Sequence, residues 1–242
     1  MREISIQGAR VYFYIFNIPI TSTIINMWMI MLLVMIICLI LTSNLRTKNI
    51  SKKQIIAEII VSMLKKLTIG NMGEKYSSMA PFVASVFILS ALCSISSILG
   101  FYPPTSDLSV TLGWSLLVFI MITYTKIKTN NFGGYLKSFT KPIAILTPFN
   151  LISEISTPVS MAFRHFGNIA SGGVILTLLH AALAALSRFL LGWLPAPIKN
   201  IPIFEVGIPA FASIYFDLFS GFLQAYIFCM LMTMYIREAS EK

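Results

Sequence analysis

The stretch 143–191, IAILTPFNLISEISTPVSMAFRHFGNIASGGVILTLLHAALAALSRFLL, is predominantly apolar from end to end and carries Arg164 close to its middle. As a helix rising about 1.5 Å per residue, it is more than twice as long as the ~30 Å hydrocarbon core of a bilayer is thick. Two readings follow. Either it makes two spans with a reversal near Gly167-Asn168, or it is one long helix strongly inclined to the bilayer normal. The two-span reading puts Arg164 and His165 near the outer face and exports Arg237 and Lys242, against the tendency of positive charge to stay on the cytoplasmic side. Pattern leaves both open, and charge leans toward the single helix.

The rest of the chain is of the same kind. It is 57% hydrophobic and only 11% charged, with a mean hydropathy of +0.82. Further apolar runs at 23–42, 79–101, 109–126 and 205–236 are long enough to cross the core. The expected fold is all-α: a polytopic membrane protein of about five membrane helices. The chain reads as one membrane domain over 1–242, divided into an N-terminal span with a cytoplasmic segment (1–78) and the remaining helices (79–242). The first run is long enough to span and has no small-residue cleavage pattern after it, so it reads as a retained helix.

A net charge of +9 could suggest nucleic acid, but no groove-reading module is present and the cations cluster beside apolar spans. Arg46, Lys48, Lys52, Lys53, Lys65, Lys66 and Lys75 lie between the first two spans, and Lys126, Lys128, Lys137 and Lys141 between the third and fourth. Both loops are therefore expected in the cytoplasm, with the N-terminus outside and the C-terminus inside. Lysines flanking Ile55, Ile56, Ile59, Ile60 and Met63 give 51–66 the pattern of a helix lying in the interface plane, a solvated loop helix being the alternative. The turns at Gly100-Phe101-Tyr102-Pro103-Pro104 and Trp193-Leu194-Pro195-Ala196-Pro197 break helices.

Cys38, Cys93 and Cys229 sit singly in apolar runs, so neither a disulfide framework nor a metal site is indicated. No phosphate-binding glycine loop or nucleophile elbow is present. The chain is not expected to be an enzyme or to hold a cofactor. Its chemistry rests on a few ionisable residues in or beside the spans: Asp107, Glu154, Arg164, His165, His180, Arg188, Glu205 and Asp217. A guanidinium near mid-bilayer costs about 2.5–3.5 kcal/mol on insertion scales, so Arg164 marks a functional position, most simply ion handling. Asn168 lies one turn beyond it on the same face, while Asp217 and Gln224, seven apart, share a face of the last helix. Bland readings stand beside these: Asp217 and Gln224 as interhelical hydrogen bonds, Glu154 paired with a cytoplasmic lysine, and Arg188 and Glu205 snorkelling near outer ends. His165 and His180 could shuttle protons, though a membrane histidine is as often a satisfied polar contact.

Pro158-Val159-Ser160-Met161-Ala162-Phe163-Arg164-His165-Phe166-Gly167-Asn168 resembles the Pro-x-Ser-x-x-x-Arg-Leu-Phe-Gly-Asn signature of subunit a of the F-type ATP synthase membrane sector. Three further segments agree: Pro104 through Leu112, Asn150 through Ser156, and Leu223-Gln224-Ala225-Tyr226-Ile227-Phe228. The resemblance covers the chain from about residue 100 onward. It implies a long inclined hairpin of the last two segments against a ring of c subunits, with Arg164 facing each passing c carboxylate. It also implies two offset aqueous half-channels loading protons or sodium ions. On that basis Asn168 and Gln224 position the arginine, Asp217 and Glu205 belong to the outer half-channel, Glu154 to the inner one, and Asp107 to the outer rim. Implied partners are the c-ring, the peripheral-stalk b subunits, the remaining synthase subunits and membrane lipids, in a bacterial plasma membrane. A stand-alone secondary transporter, or the permease subunit of another complex, is the alternative, although the paired interrupted helices of many carriers are missing. Two departures from the family pattern stand out. Ser171-Gly172-Gly173 replaces the Ala-Gly-Glu common in bacterial members, and Asp217 replaces a histidine or glutamate. His165 replaces the usual leucine.

Overall fold

A computed structural model describes residues 9–47, 50–191 and 203–241, the last range without the side chains of 203–206. Five helical segments are long and apolar enough to cross a membrane: Ser22–Thr42, Glu74–Leu99, Leu108–Ser138, Ala144–Leu191 and Gly207–Glu241. The chain is thus an all-α, multi-pass membrane protein. The proline turn at 193–200 lies outside the described residues, as do Lys48 and Lys242.

Along the chain, a hairpin of strands β1 (Val11–Ile15) and β2 (Ile18–Thr21) leads without a break into helix α1 (Ser22–Thr42). Sequence patterning had given no sign of this hairpin. Helix α2 (Lys52–Met72) continues six residues past the expected amphipathic stretch. Its N-cap is Ser51, whose hydroxyl accepts from the Gln54 amide and so satisfies one of the orphan donors of the first turn. Ile55, Ile56, Ile59, Ile60 and Met63 are exposed on α2, while Thr68 and Met72 at its far end are buried against the bundle. Helix α3 (Ala80–Ile95) extends through a 3-10 turn to Leu99 and stops at Gly100, whose φ of 78° is the left-handed conformation that glycine adopts without penalty.

Helix α4 (Leu108–Ser138) was expected to end near 126 and runs on for three more turns. Asn131, at φ 58°, interrupts its helical geometry, so the polar continuation after it is a separate piece of helix. Helix α5 (Thr147–Leu191) is continuous over 45 residues, including Pro158. No reversal occurs at Gly167-Asn168, so the single-helix reading holds. At that length it cannot stand upright inside a ~30 Å core. The last span is composite: helix α6 (Ile203–Ser213), a π turn at Ile214–Phe219, then helix α7 (Ser220–Glu241).

The core is a cluster from α2, α3, α4, α5 and α7: Met72, Val83, Val118, Ile122, Met161, Phe228, Cys229, Met232, Ile236 and Ala239. Apolar residues also cover the outside. Leu32, Met35, Leu39, Ile120, Phe163 and Met234 are all exposed, the arrangement expected where lipid is the solvent and close packing holds helices together. Small residues allow that packing near the middle of the bundle. A Cβ added at Gly172 would lie 3.3 Å from the Phe216 ring, and one at Gly221 would lie 3.0 Å from the Ser94 Cβ.

Candidate functional site

Arg164 stands on the outer face of α5, exposed, with Phe163 exposed beside it and Met161, Ala162 and His165 buried behind it. One residue of helix advance, about 100°, separates the charged face from the packed one. Among the described residues Arg164 makes no hydrogen bond and no salt bridge. It shares a narrow crevice with Met161, His165, Gln224, Ile227 and Phe228. Gln224 of α7 is therefore brought against the arginine although 60 residues separate them in sequence, yet no hydrogen bond joins them. Asn168 is half-buried one turn away and is not bonded to Arg164 either. The positioning bonds expected from these two residues are not present in this conformation.

Glu154 lies ten residues before Arg164, about 15 Å along the helix. Both its carboxylate oxygens accept from Lys126 Nζ of α4 at 2.7 Å. The pair borders a cavity of about 330 Å³ enclosed by α4, α5 and α7, whose polar lining includes Asn130, Tyr135, Ser153, Thr157, Tyr235 and Glu238. A carboxylate in this place lines a cavity and is held by a cation at once. The bland reading of Glu154, a lysine partner, is what the geometry contains.

Asp217 sits in the π turn, half-buried. Ser97 Oγ donates to one carboxylate oxygen at 3.1 Å and Ser213 Oγ to the other at 2.6 Å. These bonds tie the start of the last long helix to the end of α3. Ser97 belongs to a row of hydroxyls at Ser90, Ser94 and Ser97, one per turn of the same face of α3. His165, only 1% exposed, turns its Nε2 toward Ser90 and Ser94, 3.5 Å from each hydroxyl. Its ring meets Trp114 and Phe228 edge-on, and Nδ1 has no partner among the described residues. Ser94 also donates to Thr105 Oγ1 at 3.2 Å. A polar seam thus runs between α3, α5 and α7 from the Asp217 level to the Arg164 level. The serine spacing in an otherwise apolar span was the available signal for it, and the sequence reading passed over it.

Asp107 makes two structural contacts. It N-caps α4 by accepting from the Ser109 amide at 3.0 Å, and it accepts from Thr23 Oγ1 of α1 at 2.8 Å. Glu205 lies in the backbone of α6, and its side chain is outside the described residues. His180 and Arg188 are exposed on α5, with Arg188 Nε bonded to the Ala184 carbonyl. Gly173, where many bacterial members of the resembled family have glutamate, has open space around it: an added Cβ meets nothing within 4 Å. Among the described residues no group of three or more histidine, cysteine, aspartate or glutamate side chains could hold a metal ion.

The arrangement has one exposed fixed charge at mid-helix and two polar zones displaced from it in opposite directions. Because α7 runs antiparallel to α5 beside it, Asp217 lies toward the Leu191 end of α5, and Glu238 toward the Thr147 end with Glu154. A family model described as ATP synthase A chain matches residues 24–237. ATP synthase subunit a 1 of Chlorobaculum parvum is 32% identical over 227 residues, covering 93% of this chain and 90% of its own. The subunit a 1 of Prosthecochloris aestuarii is 34% identical over 230 residues, covering 93% and 92%. A relative from Propionigenium modestum, ATP synthase subunit a, sodium ion specific, is 29% identical over 245 residues, covering 92% and 75%.

Proposed function

Since the chain belongs to the ATP synthase A chain family and is an ion-translocating subunit a of the ATP synthase complex, we propose that Arg164 is the fixed charge past which the ring of c subunits turns. The observation that carries this reading is an exposed guanidinium at the middle of a membrane helix with no partner among the described residues. Such a charge needs an anion from elsewhere. A c-subunit carboxyl that approaches ion-loaded releases its ion into one access path, and the freed carboxylate anion is what Arg164 attracts. The same positive charge keeps ions from passing straight between the two access paths. An ion crossing the membrane releases about 2.3 kcal/mol per 100 mV, which the offset paths convert into rotation in one direction.

The inner path is the cavity bordered by Glu154 and Lys126, and the outer path begins at Asp217, with Glu205 contributing from α6. Gln224 and Asn168 position the guanidinium when the c carboxylate is engaged. Asp107 stands at the outer rim and holds it together through its cap. The subunit works as one membrane domain in a bacterial plasma membrane, N-terminus outside, beside the c-ring and the peripheral-stalk b subunits. Nucleotide chemistry belongs to other subunits. Family membership does not favour a stand-alone transporter.

The deciding experiment uses the whole complex in sealed vesicles. Arg164→Ala is expected to abolish ion-driven ATP synthesis while the complex assembles, and Arg164→Lys to fail as well, since an ammonium lacks the planar fork and can lose its proton when desolvated. Synthesis at the wild-type rate in Arg164→Ala would overturn the reading.

A further inference from the structure

The hairpin β1–β2 is built unlike a water-soluble one. Its strands pair antiparallel with Phe13 opposite Ile20, Tyr14 opposite Pro19 and Ile15 opposite Ile18. Cross-strand partners lie on the same face of a sheet. One face therefore presents Phe13, Ile15, Ile18 and Ile20, and the other Tyr14 and Pro19 with the Val11–Thr21 pair, Tyr12 lying in the bulge between Val11 and Phe13. Only Ile20 is buried against the protein. Tyr12 is 65% exposed, Tyr14 69%, Ile18 61%, and Phe16 at the tip 97%. A lone two-stranded hairpin is marginal in water even with a polar outer face, and this one is apolar or aromatic on both.

Its position is not free. Arg10 and Ser22 clasp the base of the hairpin: the Ser22 amide donates to the Arg10 carbonyl at 2.8 Å, and the Arg10 amide donates to Ser22 Oγ at 3.3 Å. The next residue, Thr23, bonds to Asp107. Strand β2 passes directly into α1, whose surface along its apolar window is unburied. The hairpin thus begins where the lipid-facing surface of α1 ends, at the membrane boundary opposite Arg46. It cannot enter the hydrocarbon, because both strands are edges with unpaired backbone groups that lipid tails cannot satisfy. Tyrosine rings with an apolar body and a polar tip suit the headgroup layer.

We propose that the hairpin is a membrane-interface anchor, lying at the boundary of headgroups and acyl chains in the leaflet where α1 emerges. The Phe13–Ile15–Ile18 face turns toward the acyl chains and the Tyr14–Pro19 face toward the headgroups. Its occupant is lipid. The anchor sets the depth of the outer end of α1 and, through the Thr23–Asp107 bond, of the start of α4. This rests on α1 crossing the membrane and not on the assignment of any ion-path residue.

The test places a polarity-sensitive fluorophore at the tip by Phe16→Cys, with Cys38, Cys93 and Cys229 replaced by alanine, in the assembled complex reconstituted into phosphatidylcholine–phosphatidylglycerol vesicles. The expected result is blue-shifted emission quenched by lipids carrying a shallow nitroxide and little affected by aqueous iodide. Tyr14→Cys is the second labelling position, expected at the headgroup level with quenching by both. If Phe16→Cys does not assemble, Tyr14→Cys alone decides. Quenching of the tip by iodide alone would put the hairpin in water, and protection from both quenchers would put it against another subunit. Either outcome overturns the proposal.

Discussion

His165 and Arg164 are neighbours with opposite fates: one is packed among Trp114, Phe228 and two serines, the other faces out of the bundle. The histidine is an unusual tenant because its Nδ1 is buried with no partner among the described residues, and an unmet donor or acceptor of this sort costs about 1–3 kcal/mol. Leucine, the usual residue of the family pattern, would fill similar space and remove that orphan, but it would leave the buried Ser90 hydroxyl without its contact to the imidazole. Ser94 would keep its bonds to the Ser90 carbonyl and Thr105. With one orphaned group exchanged for another, His165→Leu is expected to leave the stability of the purified complex within about 1 kcal/mol of the wild type. A thermal melt that falls by several degrees would show that the imidazole is an essential tie between α5 and α3. Asp217 poses the complementary case. On the outer-path role proposed for Asp217, Asp217→Asn should slow ion flux from outside in vesicles under an imposed potential. Gly173→Glu added to that mutant should restore part of it, since the open space at Gly173 admits a side chain. Unchanged flux in Asp217→Asn would reduce the residue to a tie between Ser97 and Ser213.

Helices here are positioned by a few polar clasps at their ends as much as by apolar packing. The cap at Asp107 serves α4 and also reaches Thr23 of α1. Asn26 Nδ2 of α1 bonds to the Tyr102 carbonyl in the turn before α4. Asp107→Ala removes both contacts of the carboxylate and should destabilise the assembled subunit by about 1–2 kcal/mol, read as increased proteolysis in the 100–108 turn. Cleavage at the wild-type rate would show that Asn26 alone suffices. At the other end, Lys126 holds Glu154 where α4, α5 and α7 enclose the cavity. Exchanging Lys126 for glutamine frees the carboxylate and strips the mouth of its cation. Passive ion flux entering from the cytoplasmic side is expected to change in Lys126→Gln, with flux entering from the outer side unaffected. Equal effects from both sides would place the pair outside the inner path.

At the scale of the molecule, the last two long segments lie side by side and cross the lipid as an antiparallel pair. Cysteines introduced one at a time on the exposed face of α5 around Phe163, and on α7 at Phe222 and Tyr226, are expected to crosslink to c subunits in the native complex. Those replacing the buried Met161 or Met232 are not. A reversed pattern would turn the pair through half a rotation and remove Arg164 from the ring.

The number of spans, their apolar character and the singular status of Arg164 were legible from residue order, because hydropathy over some twenty residues and an isolated charge are local properties. So was the row of motifs that carries the family likeness. Charge patterning also leaned the right way on 143–191, but only tertiary structure decided that α5 runs through Gly167-Asn168 without turning. The energy of a reversal depends on what neighbouring helices offer, and that is not written in the segment itself. The same holds for the end of α4 and for the hairpin before α1. Asn131, at φ 58° and ψ 163°, breaks the helical geometry of a helix that hydropathy alone ends at the first lysines. Alternation at 11–21 is masked because both faces of the hairpin are apolar. Partners separated by long stretches of chain were out of reach for the same reason. Lys126 with Glu154, Ser97 with Asp217, Thr23 with Asp107 and Gln224 beside Arg164 are each joined by packing across helices, a consequence of which faces fit together.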